Sequence, residues 1–234
     1  MQLFYNPELK SGQEHIQFSK DESIHIVRVL RKSVGDTLHI TNGNGFLFLA
    51  EIVSADQKRC EALIKSFEQQ IKHNYHLHLA VAPTKMNDRY EWFLEKATEI
   101  GIDTITPIFC DNSERKSIKP ERLEKILQSA MKQSLSCYLP ILNEAITFQE
   151  FLSQNHDGQL YIAHCEDSDK KSLKDVLKPD ENVTILIGPE GDFSLKEIEM
   201  ALSKNFLPVS LGNTRLRTET AAIVACHSVA FINE

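Results

Sequence analysis

The chain has 234 residues and a formal net charge of −7, with 41% hydrophobic and 25% charged residues. This composition is typical of a globular protein, and the length suits one large domain or two smaller ones. No segment approaches the roughly 18 apolar residues of a membrane span, and the N-terminus lacks the regions of a signal peptide, so we expect a cytoplasmic protein. The five cysteines are scattered singly with no C-x-x-C pair, so neither a zinc site nor a disulfide framework is indicated.

Residues 1–70 have the pattern of a small β-rich domain. Apolar positions alternate through DTLHITNGNGFLFLAEIVSADQKRCEALIKSFEQ, and the NGNG within it is typical of a β-hairpin turn. The one helical segment predicted here is DESIHIVRVLR, which brings Arg28 and Arg31 to one helical face beside Lys32. The net negative charge argues against a nucleic-acid partner, yet a local basic patch can contact phosphates. The alternative is a solvated face paired with Asp21 and Glu22.

From residue 71 onward, strand patterns and helix patterns alternate. The predicted strands are YHLHLAVAP, IDTITPIFC, GQLYIAHC, NVTILIG and FLPVSLG. The helix signals are Pro120 at a first helical position, capping boxes at Thr147 with Glu150 and at Ser194 with Glu197, and the segments SLKDVLK and TETAAIVACHSVAFIN. The alternation predicts an α/β domain over residues 71–234, with a largely parallel sheet covered by helices on both faces.

The first helix of this domain is predicted from MNDRYEWFLEKATEIG. Gly101 is a good residue to end it, because glycine readily adopts the left-handed conformation that follows many helices. Helical spacing places six apolar residues on one face: Met86, Tyr90, Phe93, Leu94, Ala97 and Ile100.

Two glycine-bearing loops follow consecutive predicted strands, LIGPEG and SLGNTRLRTETA. Open α/β sheets bind ligands at the carboxyl ends of their strands, so these loops are the candidate binding site. Gly188, Gly191 and Gly212 let the backbone approach a ligand closely. Glu190 and Asp192 would repel a phosphate, which favours a neutral or cationic ligand. A plain tight turn is the alternative for GPEG.

These two loops also carry a family resemblance. IGPEGDFSLKEIEMA, followed after a short strand by LGNTRLRTETAAIVA, resembles the SPOUT superfamily of S-adenosylmethionine-dependent RNA methyltransferases. Within it, the match is to the family that methylates N3 of a decoding-region uridine in 16S ribosomal RNA. HIVRVLR, KMNDRYEWFLEKATEIGIDTITPI and SERKSIKPERLEKILQSAMKQS resemble further family segments, so the resemblance covers essentially the full length. The chain departs from the family around Ser136, where relatives often carry a basic residue.

The resemblance implies a trefoil-knotted SPOUT methyltransferase domain over residues 71–234, preceded by a small PUA-like β-barrel RNA-binding domain over residues 1–70. It also implies S-adenosyl-L-methionine as cofactor, 16S ribosomal RNA in the small ribosomal subunit as substrate, and a homodimer with the knot at its interface. The cofactor carries a sulfonium cation and no phosphate, which makes the acidic loop intelligible.

Carried onto this sequence, the resemblance implies roles for particular residues. Arg217 would stabilise charge on the uridine oxygens, and Glu219 would orient that arginine or remove the N3 proton. Solvent is an alternative acceptor of the proton, and a simple helix-start carboxylate is the alternative for Glu219. The cofactor-binding candidates are His164, Leu186, Ile187, Gly188, Glu190, Gly191, Leu211, Gly212, Leu216, Thr220 and Ala221. The RNA-binding candidates are Arg28, Arg31, Lys32, Lys85, Arg89 and Arg115.

Histidines receive no catalytic role. His25, His76 and His78 fall in strand or helix patterns that favour packing, and no histidine–carboxylate spacing indicates a metal, so none is expected. Two alternatives to the methyltransferase stay open: a SPOUT enzyme that acts on another RNA, and a non-catalytic RNA-binding factor in ribosome assembly. The intact GPEG and LRTET segments favour an enzyme, because a module that bound no cofactor would not need these glycines.

Overall fold

A computed structural model describes residues 1–167 and 169–234, which form two compact units. The first unit contains Met1–Lys72 and Met131–Leu139, and the second contains His73–Ala130 and Pro140–Glu234. The sequence pattern gave no sign that Met131–Leu139 groups with the N-terminal residues. No helix in the described residues is long and apolar enough to cross a membrane.

The first unit is built on a five-stranded sheet with the order β1-β3-β4-β5-β2. Its strands are β1 (Leu3–Tyr5), β2 (His15–Gln17), β3 (Thr37–Thr41), β4 (Phe46–Ala55) and β5 (Cys60–Gln69). The β1–β3 pair is parallel and the other pairs are antiparallel. Alternate residues of the long strands point into one core, which includes Leu38, Ile40, Phe48, Ala50, Ile52 and Ala62.

The predicted NGNG hairpin is confirmed. β3 and β4 pair from Thr37 opposite Glu51 to Thr41 opposite Leu47, and the turn lies between them. Gly43 and Gly45 have φ angles of +77° and +90°, where other residues are strained. A side chain at Gly45 would also collide with the Tyr138 ring, whose hydroxyl donates to the Gln70 carbonyl over 2.8 Å. Both positions therefore require glycine: the backbone conformation of the turn demands it at each, and at Gly45 so does the adjacent Tyr138 ring.

The predicted helical segment of the first unit is also present. Helix α1 (Lys20–Ile24) continues as a π-helical turn over His25–Val29. The Ser19 side chain caps its start by accepting from the Glu22 backbone N–H. Arg31 lies beyond the helical residues with a φ of +56°, so the predicted common helical face for Arg28 and Arg31 is wrong.

The second unit has an eight-stranded, fully parallel sheet with the order β11-β13-β10-β12-β6-β7-β8, and β9 also pairs with β7. Its strands are β6 (Leu77–Val81), β7 (Thr104–Phe109), β8 (Ile141–Leu142), β9 (Ile146–Thr147), β10 (Gln159–Ala163), β11 (Lys171–Ser172), β12 (Val183–Ile187) and β13 (Leu207–Ser210). Its helices are α2 (Asn87–Ile100), α3 (Pro120–Ser134, whose last residues group with the first unit), α4 (Phe148–Ser153), α5 (Leu173–Val176), α6 (Leu195–Ser203) and α7 (Thr218–Ile232).

Helices cover the central strands of this sheet, as predicted. Every residue of β12 is buried, and all but Thr184 are apolar, as expected for a central parallel strand. Leu186 of β12 packs in one cluster with Phe148 and Phe151 of α4 and with Ile198 of α6. α7 contacts β6 and β12 and also packs on α2.

The predicted helix boundaries are largely correct. Both capping boxes form at the starts of α4 and α6, and α2 ends at Gly101, which has a φ of +109°. Four of the six residues predicted for the apolar face of α2 are buried, and Ile100 is half-buried. Met86 is the error: it precedes the first helical residue, and its side chain is exposed.

Candidate functional site

The two glycine loops border a pair of adjoining clefts in the second unit. The loops follow β12 and β13, and β10 lies between these strands in the sheet. Because all three strands are parallel, their carboxyl ends reach the same edge. The clefts have volumes of about 300 and 480 Å³. They share five residues along their common border: Ala163, Cys165, Arg215, Leu216 and Ala221.

The first cleft is formed by the G-P-E-G loop and the start of α7. Its remaining lining residues are Ile187, Gly188, Pro189, Glu190, Asp192, Arg217 and Thr218. The Thr218 hydroxyl donates to the Gly188 carbonyl over 3.0 Å, which ties α7 to the loop. Arg217 immediately precedes α7, where its backbone is extended; its side chain is exposed and makes no capping hydrogen bond.

The second cleft lies along the loop after β13. It is lined by the predicted residues His164, Leu211 and Gly212, together with Lys170, Val209, Ser210, Asn213 and Thr214. His164 is buried, and neither ring nitrogen has a hydrogen-bond partner within the described residues. Burial and then the nearby Lys170 charge lower the pKa of His164, which favours the neutral ring. A neutral imidazole offers one donor and one acceptor to a ligand.

Three predicted cofactor residues do not line either cleft. The Leu186 side chain packs in the hydrophobic core cluster with residues of α4 and α6. Gly191 packs closely against Asn112: a Cβ at position 191 would lie 3.0 Å from the Asn112 Cβ. Thr220 is half-buried in the first turn of α7. Gly188 does line the first cleft, yet a Cβ on it would come 3.0 Å from the Phe193 ring, so its small size also serves packing.

The G-P-E-G loop is anchored by hydrogen bonds from other loops. Glu190 Oε1 accepts from the backbone N–H of Lys85 over 2.9 Å. Asp192, with a φ of +63°, accepts from the Cys165 backbone N–H over 2.7 Å. The Asn112 side-chain amide donates to the carbonyls of Gly191 and Asp192 over 3.2 and 3.1 Å. The two acidic side chains of this loop therefore have defined positions.

Glu219 lies in the first turn of α7, where a carboxylate suits the helix dipole. It is buried, its Oε1 lies 3.8 Å from Arg89 Nε of α2, and its Oε2 has no partner within the described residues. The packing of α2 on α7 thus brings together two residues that the sequence assigned to different roles.

Several cleft residues were missed by sequence reasoning. Cys165 is exposed and follows β10, and Ala163 is the last residue of that strand. The rule that ligands bind at strand ends, applied to β10 as it was to β12 and β13, would have found both. No sequence motif indicated that Lys170 belongs to the cleft. It lies there because its Nζ donates to the His164 carbonyl over 2.9 Å.

Comparison with known proteins identifies the family. A model described as the RNA methyltransferase domain matches residues 71–230, and one described as the RNA methyltransferase PUA domain matches residues 18–65. The ribosomal RNA small subunit methyltransferase E of Rickettsia conorii is 34% identical over 98% of this chain and 95% of its own. The chain belongs to the ribosomal RNA small subunit methyltransferase E family.

Two solved structures of methyltransferases superpose on essentially the whole chain. A probable rRNA-methyltransferase of Porphyromonas gingivalis superposes with a TM-score of 0.93 at 41% identity, covering 100% of this chain and 98% of that one. A Legionella pneumophila protein, solved in complex with the bound cofactor SAM, superposes with a TM-score of 0.88 at 28% identity, covering 99% and 97%.

In this member of the methyltransferase E family, the predicted RNA-binding residues fall into two groups. In the first unit Arg28 and Arg31 are exposed, whereas Lys32 Nζ donates to the Thr37 carbonyl over 3.3 Å. In the second unit the cations have protein partners. Lys85 Nζ lies 2.8 Å from Glu114, Arg89 faces Glu219, and Arg115 donates to two backbone carbonyls. Within the described residues, no group of three His, Cys, Asp or Glu side chains is placed to hold a metal ion.

Proposed function

We propose that this protein transfers the methyl group of S-adenosylmethionine to N3 of a decoding-region uridine in 16S ribosomal RNA. The observation that carries the proposal is the pair of adjoining clefts formed by the G-P-E-G loop and the loop after β13. Membership in the methyltransferase E family and the SAM-bound Legionella relative support it.

The side chains around the clefts fit this cofactor. Glu190 and Asp192 suit a sulfonium cation and would repel a nucleotide phosphate. Arg215 and Lys170 supply positive charge near the second cleft, where a carboxylate could be held. Neither buried ring nitrogen of His164 has a hydrogen-bond partner in the part of the chain that the structure describes. Buried polar atoms are normally satisfied, so a polar ligand is expected beside His164. Ile187, Gly188, Leu211, Gly212, Leu216 and Ala221 would complete the walls, with Leu186, Gly191 and Thr220 supporting them from behind.

When bound, the cofactor supplies an electrophilic methyl group. The chain must then present an unpaired uridine, since N3 lies on the Watson–Crick edge, and must align it for in-line transfer. Arg217, which is exposed and lines the first cleft, would stabilise the uridine oxygens as negative charge develops. Glu219 is buried beside Arg89, and its Oε2 has no hydrogen-bond partner among the described residues; it would orient the arginines or accept the N3 proton.

The protein would act as a cytoplasmic homodimer with its C-terminal segment threaded as a trefoil knot. The dimer is supported by α7, which is apolar around its circumference although its last turn leaves Phe231 69% exposed. A helix of this kind is normally covered on all sides. We also propose that the PUA-like unit contacts RNA and that the domain boundary lies at residue 70. Sedimentation at micromolar concentration would show a monomer if the dimer proposal is wrong.

Mapping methylated bases in 16S RNA from a deletion strain and a complemented strain tests the function directly. We expect one N3-methyluridine in the decoding region that is lost on deletion and restored by the wild-type gene. Restoration of a methyl group only in another RNA would support a different substrate. An unchanged methylation map would support a non-catalytic role in ribosome assembly.

A further inference from the structure

The segment between β7 and α3 contacts two loops: the loop after β6, and the G-P-E-G loop, which lines the first cleft. We call residues 110–115 the brace. In the sheet, β6 lies between β7 and β12, so the loop after β6 lies beside the loops after both neighbours. The brace contacts the loop after β6 through Arg115, and it contacts the G-P-E-G loop through Asn112.

Arg115 holds two consecutive carbonyls. Its Nε donates to the Thr84 carbonyl over 2.9 Å, and its Nη2 donates to the Lys85 carbonyl over 2.7 Å. A planar guanidinium presents these donors in a fixed fork, so it sets the orientation of the peptide as well as its position. The N–H of Lys85 is thereby held where it donates to Glu190 Oε1 over 2.9 Å.

Asn112 holds the G-P-E-G loop directly. Its side-chain amide donates to the Gly191 and Asp192 carbonyls, and the missing side chain at Gly191 allows this approach. Asp111 adds a third tie, because its carboxylate accepts from the Ser194 hydroxyl over 2.7 Å. The brace therefore acts on Glu190 in two ways. Arg115 holds the peptide that donates to the Glu190 carboxylate, and Asn112 holds the loop that carries Glu190.

We propose that Arg115 is a positioning residue for the cofactor, acting through the Lys85 N–H on Glu190. This inference rests on the proposed function, since it assumes that the first cleft holds S-adenosylmethionine. It replaces the sequence-based assignment of Arg115 to RNA contact, because two of the guanidinium donors are already bound to the backbone.

The test compares Arg115→Gln with Arg122→Gln as matched control. Arg122 comes from the same region, but its guanidinium pairs with the Glu91 carboxylate and has no link to Glu190. We expect Arg115→Gln to weaken S-adenosylmethionine binding by about 10- to 100-fold in calorimetry, the scale of a lost charge-assisted hydrogen bond. KM for the cofactor should rise accordingly while kcat at saturation stays within about twofold. The control should bind the cofactor as the wild type does.

Two further variants separate the explanations. In a cycle with Glu190→Ala, the Arg115→Gln change should cost little additional affinity if both act through one link. Arg115→Lys should restore only part of the binding, since an ammonium cannot fork to two carbonyls. Full rescue by lysine, additive losses in the cycle, equal losses in the control, or reduced RNA affinity at unchanged cofactor affinity would each overturn the proposal. A wild-type protein that binds no S-adenosylmethionine would instead refute the proposed function.

Discussion

Gly212, which lines the second cleft, has a φ of +145°, and among the described residues other than its chain neighbours no atom lies within 4 Å of where its Cβ would be. Conformation rather than crowding therefore requires glycine here. Gly212→Val should abolish S-adenosylmethionine binding, because a β-branched residue both resists this φ and fills the open space that a ligand would use. Calorimetry on the folded variant checks the prediction.

Gly101→Val provides the control for this experiment. Gly101 also has a positive φ, +109°, and open space around it, but it ends α2 and lines neither cleft. The Gly101→Val variant should be less stable than the wild type and should bind S-adenosylmethionine with wild-type affinity. Wild-type affinity in the Gly212 variant would remove this loop from the binding site.

Arg217 is the exposed cation closest in sequence to the buried Glu219. Arg217→Ala should lower turnover by roughly 10²- to 10³-fold, the scale for one preorganised charge-stabilising donor, while cofactor affinity changes only a few-fold. Single-turnover kinetics alongside calorimetry separate the two effects. Equal losses of binding and turnover would assign Arg217 to the pocket rather than to the chemistry.

His78 couples the stability of the second unit to pH. Its Nε2 lies 2.7 Å from the Thr106 hydroxyl, and burial, reinforced by His156 and His76, lowers its pKa from 6.5 to about 4. Between these values the unfolded chain binds the proton and the folded chain does not, so stability is complete above about pH 6.5 and falls as pH drops toward 4. The difference amounts to about 3 kcal/mol. Denaturant unfolding of His78→Gln across this range should show a shallower pH dependence than the wild type, and parallel curves would contradict this.

At the scale of elements, Ser194 shows how a local signal fixes the start of α6. Its hydroxyl accepts from the Glu197 N–H and donates to Asp111. Ser194→Ala should therefore lower the free energy of unfolding by about 1–2 kcal/mol. Ser203→Ala, at the exposed end of the same helix, removes only a bond to the Met200 carbonyl and is the matched control. Similar denaturation midpoints for the two variants would show that the cap contributes little.

Elements with strong local signals were the ones predictable from sequence. Both capping boxes, the end of α2 at Gly101 and the NGNG turn each depend on residues within one turn of chain, and all four form. The two-residue strands β8, β9 and β11 were not predicted, because their pairing depends on distant partners rather than on a pattern of their own. The helix predicted over DESIHIVRVLR covers the π-helical turn after α1, but the apolar pattern does not distinguish a π-helical turn from an α-helical one.

In the candidate site, too, the features encoded by contiguous residues were predictable and those that depend on distant residues were not. The glycine loops were recognisable because their residues are contiguous, and most of the predicted cofactor residues line the two clefts. The partners that hold those loops, such as Asn112 and Arg115, come from another strand end. Only the strand order of the folded sheet brings them together.

At the scale of the whole molecule, a chain of net charge −7 must meet RNA through a local basic surface. Arg28 and Arg31 are both exposed, so their guanidinium groups are accessible to such a partner. Phosphate contacts release counterions, so their number appears in the salt dependence of binding.

Replacing both arginines with glutamate should therefore weaken RNA binding strongly and leave S-adenosylmethionine binding intact. The neutral test is Arg28→Ala with Arg31→Ala, since alanine keeps the Cβ of arginine and therefore leaves the backbone strain at position 31, with its φ of +56°, unchanged. In a plot of the logarithm of the RNA-binding constant against the logarithm of the salt concentration, this double substitution should reduce the slope by about 0.7–0.9 per lost phosphate contact. Arg59→Ala is the matched control, because the Arg59 guanidinium already binds Gln17 and Glu61 in the same unit. If the neutral pair and the control gave the same affinity and slope as the wild type, Arg28 and Arg31 would face solvent, and the RNA contacts would have to be sought around Lys85 and Arg89.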